Sequence, residues 1–149
     1  MYNEGMKLFR LSEKMTASPQ LEIKDLNKLK KNGVNIVVCN RPDNESPEQA
    51  QFIDIATAAE LLGITPIEIS FKPDEQTLED VIAFEELLYS NKKVHAYCRT
   101  ANRSISLWAA ASVKAGSRPD QILKIAGIHG IHVFNAIAPY LKDSSHRKL

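Results

Sequence analysis

Residues 94–113 read VHAYCRTANRSISLWAAASV and set a single thiol, Cys98, between two apolar runs. Arg99 follows it directly, Arg103 lies five positions on, and Thr100, Ser104 and Ser106 add hydroxyls. That offset lets a loop curl the Arg103 guanidinium back over the sulfur, where its forked donors suit an oxyanion. If the first run is a strand and the second a helix, the backbone N–H groups of Arg99, Thr100, Ala101 and Asn102 point inward without partners at the helix's positive end. Such surroundings favour thiolates, and cysteine pKa values fall from about 8.5 to roughly 3.5–7.5 there. A nucleophile inside a ring of donors shaped for a tetrahedral or sulfur-centred anion is the minimal equipment for covalent group transfer. Free cysteine is ordinarily a small buried hydrophobe. That role accounts for the apolar flanks but not for two arginines beside the thiol, which need an anionic partner.

The elements that must position this loop alternate. SPQLEIKDLNKLKKNG, from Ser18, opens with Ser-Pro, carries apolar residues at Leu21, Ile23, Leu26 and Leu29, and closes at Gly33, which predicts a helix. VNIVVC (34–39) predicts a strand buried on both faces, followed by a loop through NRPDNESPE. A second helix is expected from Pro47 to Gly63, a strand in ITPIEIS, and a third helix in TLEDVIAFEELLYSN with a T-x-x-D cap. KVHAYC is the third central strand, and shorter helices are expected around PDQILKIAG and HVFNAIAPYLK. The N-terminal stretch has a short strand near Leu8–Leu11 or Lys14–Ala17. This order predicts an α/β fold with three layers, a mostly parallel sheet flanked by helices, and its ligand beyond the carboxyl ends of the strands. Residues 40–46, residues 70–76 and the Cys98 turn converge there.

With 149 residues the chain is expected to form one domain, 1–149. Its 19 Lys and Arg against 18 Asp and Glu leave no electrostatic footprint for nucleic acid or an anionic membrane. Two cysteines do not suggest a disulfide framework, no stretch approaches the length of a membrane span, and the start lacks signal-peptide order. A cytoplasmic protein without a cofactor is the expectation, its partners a small phosphate-ester or sulfur-donor substrate and an anion such as phosphate or sulfate held in the loop.

Among the other candidates, Asp74 in FKPDEQ is the first choice for general acid, set against a plain turn role after Pro73. Asp43, with Glu45, stands on another loop of the same edge, to serve in its place or to orient Arg41 or Arg103 in an ion pair. Glu75 and Asp80 suit solvent or a helix cap. His129 and His132 have ligand-like spacing but no third ligand, so no metal is expected. His95 and Trp108 suit the core. Cys39 ends the neighbouring strand, either as a buried small residue or as a partner for Cys98 on oxidation.

The residues YCRTANRSISLWAAASVKAG, with NRPDNE after the first central strand and ILKIAGIHG near the end, resemble the bacterial phosphatase-like family also found as the leading domain of beta-lactamase-hydrolase-like proteins. The resemblance runs from about Lys14 to Leu141. It implies a fold similar to the cysteine-dependent tyrosine and dual-specificity phosphatases, with Cys98 as nucleophile, Arg103 as phosphate-binding arginine, Ser104 assisting the leaving thiolate and Asp74 protonating the leaving group. The chain departs from the tyrosine-phosphatase signature in having four residues between cysteine and arginine instead of five, and Tyr97 where histidine is usual. Ala101 stands where glycine is usual. A loop of this length preceded by tyrosine also resembles rhodanese-type sulfurtransferases, in which the cysteine carries a persulfide, although the tail lacks their Gly-Gly-x-x-x-Trp ending. Three readings stand: a phosphatase acting through phosphocysteine, a sulfurtransferase acting through persulfide on the same cysteine, and an anion-binding module of little catalytic power.

Overall fold

The computed structural model describes residues 6–142. Among the described residues five strands form one sheet: β1 (Phe9–Ser12), β2 (Met15–Ser18), β3 (Ile36–Cys39), β4 (Thr65–Glu68) and β5 (Val94–Tyr97), in the order β1-β2-β5-β3-β4. Only β1 runs antiparallel to its neighbour; β2, β5, β3 and β4 are parallel. The N-terminal stretch, expected to hold one short strand in either of two places, holds a strand at each, joined as a hairpin. The inner strands β2, β3 and β5 are buried along their whole length, as their apolar runs require, while β4 is the half-exposed edge where Pro66 lacks an N–H to donate.

The helices are α1 (Asp25–Lys31), α2 (Phe52–Leu61), α3 (Leu78–Tyr89), α4 (Asn102–Lys114), α5 (Pro119–Ile128) and α6 (Phe134–Ile137), with a 3₁₀ turn at Ala138–Tyr140. The expected cap of α3 is present: Asp80 N–H donates to Thr77 Oγ1 (3.2 Å) and Thr77 N–H to an Asp80 carboxylate oxygen (2.9 Å). The first two helices begin later than expected. Before α1, Glu22 N–H donates to the Asp25 carboxylate (2.8 Å) and Asp25 N–H to Glu22 O (3.0 Å), a closed turn that uses the groups a longer helix would need. Before α2 the chain turns at Pro47 and Glu48, where Gln49 N–H donates to Ser46 O (3.4 Å), and the helix opens only where Phe52 N–H meets Asp43 Oδ1 (2.8 Å).

Two apolar cores flank the sheet. One joins α1 and α2 to Val37, Cys39 and Tyr97; the other joins α3, α4, α5 and α6 to Val38, Ala96 and Met15. Helix α4 is the hub of the second: ten of its residues are buried, and the small side chains Ala109, Ala110 and Ala111 let its neighbours approach closely. After β3 the chain leaves toward α2 on one face, and after β5 toward α4 on the other. The crevice outside the ends of β3 and β5 is therefore the switch point at which α/β sheets bind ligands. Among the described residues no helix is long and apolar enough to cross a membrane.

Candidate active site

Cys98 is the first residue past β5 and is fully buried; Arg99 and Thr100 are exposed, and α4 begins at Asn102. The register of the sheet continues through it, since Cys98 N–H donates to Ser18 O (3.4 Å). Beyond that, the backbone N–H groups of six consecutive residues, 99–104, donate to no acceptor among the described residues, and the next amide, Ile105 N–H, closes the first helical turn on Ala101 O (2.9 Å). Ala101 makes this arc by adopting a left-handed conformation, φ 78° and ψ −12°, at the cap of α4. That geometry costs a residue with a Cβ about 1–2 kcal/mol. Its methyl is wholly buried in the α4 core, which offsets much of the cost.

Arg103 is 8% exposed and tightly bonded. Its Nη1 donates to Glu45 Oε2 (2.9 Å) and to Phe71 O (3.0 Å), and its Nη2 to Glu45 Oε1 (2.9 Å). Three of the five guanidinium N–H groups are thus taken. The remaining two, on Nε and on the side of Nη2 nearer Nε, lie side by side on the neighbouring edge of the guanidinium and have no partner among the described residues. Glu45 is shared: Arg41 Nε donates to the same Oε1 (2.9 Å), and Arg41 Nη1 to Gln20 Oε1 (3.0 Å). The hydrogen bonds from Arg103, with Arg41 in support, hold the Glu45 carboxyl below the usual carboxylate range against the opposing effect of burial. Two guanidinium charges against one carboxylate leave the cluster net positive.

Asn40, completely buried, ties the three converging loops together. Its Nδ2 donates to Ile69 O (2.8 Å), which fixes the amide's orientation, so its Oδ1 accepts from Ser104 Oγ (2.8 Å). The Ser104 hydroxyl has one proton, and in this conformation that proton is committed to Asn40 and not to the sulfur.

Asp74 occupies the third position of a turn in which Glu75 N–H donates to Lys72 O (3.0 Å), with Pro73 second and Asp74 itself at φ 65°, the form of a type II turn. Its carboxylate is exposed and shares with Arg103 and Asn102 the wall of a cavity of about 840 Å³. Turn residue and candidate acid are therefore the same residue. Cys98 does not line that cavity. The Asp43 carboxylate caps α2, and Glu45, its companion in the sequence reading, makes both arginine contacts.

The remaining candidates separate. His129 Nε2 meets Arg10 O (2.9 Å) and its ring packs edge-on against Phe9, whereas His132 lines the cavity. His95 is buried between Thr16 Oγ1 at Nδ1 and Ser18 Oγ at Nε2, each 2.8 Å, and burial holds its pKa down to about 3. Trp108 is core. Of the two readings of Cys39, the structure shows the buried small residue, free and not paired with Cys98. Cys39 shares its face with its register partner Tyr97, its thiol donates to Arg41 O (3.2 Å) and is pushed up by burial, and alternation turns Cys98 the other way. The Tyr97 hydroxyl beside Cys39 makes no well-formed hydrogen bond, and burial raises it strongly.

A cysteine at a strand end, an arc of unpartnered amides, and an arginine held by Glu45 with two N–H groups free stand together at the carboxyl edge of a mostly parallel α/β sheet, a fold shared with cysteine phosphatases of known structure. The chain belongs to the family described as beta-lactamase hydrolase-like protein, phosphatase-like domain, whose model matches residues 7–115. It is similar to a candidate phosphatase from Neisseria meningitidis Z2491, with 29% identity over 89% of this chain and 94% of that one and a TM-score of 0.75. A DUF442 candidate phosphatase from Shewanella putrefaciens CN-32 shares 18% identity over 93% and 94% of the two chains, with a TM-score of 0.72. PTPMT1, solved in complex with PI(5)P, shares the fold at 15% identity over 95% and 99% of the two chains, with a TM-score of 0.74. No curated protein sequence matches the chain.

Proposed function

We propose that this protein is a cysteine-dependent phosphomonoesterase. The observation that carries the reading is the pairing of six free amides, 99–104, with the free Nε/Nη2 edge of Arg103, a donor set suited to the three non-bridging oxygens of a phosphoryl group. In the first step Cys98 Sγ forms a bond to phosphorus as the ester P–O bond breaks, and Asp74 gives its proton to the departing oxygen. In the second, the Asp74 carboxylate takes a proton from water as that water attacks phosphorus. The S–P bond breaks, and inorganic phosphate and thiolate remain. The buried sulfur is reached when the exposed arc at residues 99 and 100 widens around the phosphoryl group. Arg99, Thr100, Ala101, Asn102 and Ser104 contribute backbone N–H groups to this step, and Arg41 acts through Glu45.

The four-residue spacing between Cys98 and Arg103 favours one rival, persulfide transfer on the same sulfur. A paired assay separates them: an aryl phosphate in one arm, thiosulfate with cyanide in the other, each with the native chain and with Cys98→Ser. Phosphate release that vanishes in Cys98→Ser supports the proposal. Cys98-dependent thiocyanate without phosphate release replaces it with sulfur transfer, and anion binding without either product leaves only a binding module.

A further inference from the structure

One strand end reaches both halves of the site. At the carboxyl end of β2, Ser18 O accepts the Cys98 N–H (3.4 Å), and two residues on, Gln20 Oε1 accepts from Arg41 Nη1 (3.0 Å). Ser18 and Cys39 are both register partners of Tyr97, and β5 lies between β2 and β3. The Gln20–Arg41 bond therefore passes across the carboxyl end of β5, at the level of the residue after Cys98. Arg41 is 4% exposed, and its Nε donates to Glu45 Oε1 (2.9 Å), the oxygen that also accepts from Arg103 Nη2 (2.9 Å). A continuous chain of hydrogen bonds thus runs from β2 through Gln20, Arg41 and Glu45 to the Arg103 guanidinium, while the same strand end holds the backbone of the nucleophile. Gln20 is itself fixed. Its Nε2 donates to Leu21 O (3.0 Å), which leaves Oε1 as the atom that meets Arg41, and Leu21 is fully buried. The acceptor is also neutral. A carboxylate here would cancel the net positive charge of the arginine cluster, whereas an amide oxygen directs Arg41 and leaves that charge in place for a phosphoryl anion.

On the phosphatase reading above, we propose that Gln20 is a positioning residue for the reaction. Acting through Arg41 and Glu45, it sets the direction in which Arg103 presents its free Nε/Nη2 edge to the transferring phosphoryl group. Loss of the amide leaves the buried Arg41 Nη1 short of an acceptor, and the guanidinium re-seats to find one, carrying Glu45 and Arg103 with it.

The test compares inhibition of aryl-phosphate hydrolysis by vanadate and by inorganic phosphate. Vanadate bonds to a thiolate as a five-coordinate adduct with the shape of the transition state, whereas phosphate binds as a tetrahedral ground state. A purely structural role, in which fewer molecules fold, moves neither inhibition constant. In Gln20→Met, kcat/KM and vanadate affinity each fall about tenfold and phosphate affinity by less than about threefold, because a displaced guanidinium costs most where the oxygens spread into the equatorial plane. Gln20→Glu restores an acceptor and adds a charge, so both anions bind more weakly together and their ratio stays within about threefold of native. In an Arg41→Met background, adding Gln20→Met shifts the ratio by less than about twofold, since its route to Arg103 is already cut. Equal shifts for the two anions in Gln20→Met, a ratio as disturbed in Gln20→Glu as in Gln20→Met, or a full further shift in the Arg41→Met background overturn the inference while leaving the phosphatase standing. Failure of the native chain to hydrolyse any aryl phosphate removes the phosphatase reading and this inference with it.

Discussion

Glu45 grips Arg103 at two points, Oε2 to Nη1 and Oε1 to Nη2, both at 2.9 Å, across 58 residues of sequence. The fork occupies the Nη1/Nη2 edge and so fixes the direction of the neighbouring Nε/Nη2 edge, which is left free. Glu45→Gln replaces one acceptor oxygen by a donor that faces Nη1 or Nη2, and leaves two buried arginines without a counter-ion. The expected result is a fall in kcat/KM on the order of 100-fold from misplacement of the guanidinium. A loss of about 1–3 kcal/mol in unfolding free energy should accompany it, less than for a fully buried pair because Glu45 still reaches solvent. Steady-state kinetics and denaturant melts check both; kinetics unchanged within about twofold would show that Arg103 is held by other means.

Stability should fall steeply on the acid side. The Ser18 proton goes to Pro19 O, so Ser18 Oγ accepts from His95 Nε2–H and Nδ1 accepts from Thr16, a closed network for the neutral ring. With a folded value near 3 against about 6.5 when unfolded, His95 binds its proton more readily in the unfolded chain. Its contribution is complete above about pH 6.5 and is lost as the pH falls toward 3, amounting to roughly 3 kcal/mol between pH 7 and 4. Glu45, also lowered, adds to the loss only below its ordinary value. Denaturant unfolding across this range should show the slope, and His95→Gln should flatten it; an equally steep slope in the variant would assign the effect elsewhere.

Ser104 and Asn40 offer a test of how the loop is braced. Ser104→Ala leaves Asn40 Oδ1 buried without a donor, which costs about 1–3 kcal/mol in stability. Because the serine proton is held by Asn40, Asn40→Ala should slow turnover along with Ser104→Ala, each by a similar factor, by loosening the loop. If Ser104→Ala alone impairs breakdown of the covalent intermediate in pre-steady-state kinetics, the hydroxyl rotates to the sulfur during the reaction.

Ala101 places two effects of similar size in opposition. Ala101→Gly relieves about 1–2 kcal/mol of left-handed strain. It removes a buried methyl worth about 0.8 kcal/mol and raises the entropy of the unfolded chain by roughly 0.5–1 kcal/mol. The expected net change in unfolding free energy is within about 1 kcal/mol of zero. A larger loss would mean that the methyl's packing in the α4 core dominates the loop.

Cys98, Arg103 and the loop between them were legible because their relationship is local: a strand, a turn and a helix in twenty residues. The cap of α3 was legible for the same reason. The grip of Glu45 and the anchoring by Asn40 were only half visible. NRPDNE showed charges near the edge, but which carboxylate meets which arginine depends on β3 lying beside β5, and Asp43 is diverted to the amide of Phe52 by the chain's own path. The late start of α1 was hidden because apolar spacing at Leu21 and Ile23 resembles a helix, while the Glu22–Asp25 turn that displaces it depends on side-chain bonding. The opposed faces of Cys39 and Cys98 follow from alternation and register, and register is not written in either strand alone.

The central claim is that phosphorus passes through Cys98, and the most direct measurement is acid-quenched, rapid-mixing mass spectrometry of the intact protein with a fast aryl phosphate. The account predicts a phosphoryl adduct that forms within a turnover, maps to the peptide holding residue 98, and is absent in Cys98→Ser together with steady-state hydrolysis. Hydrolysis that persists in Cys98→Ser, or proceeds in the native enzyme with no adduct on that peptide at any quench time, would contradict it.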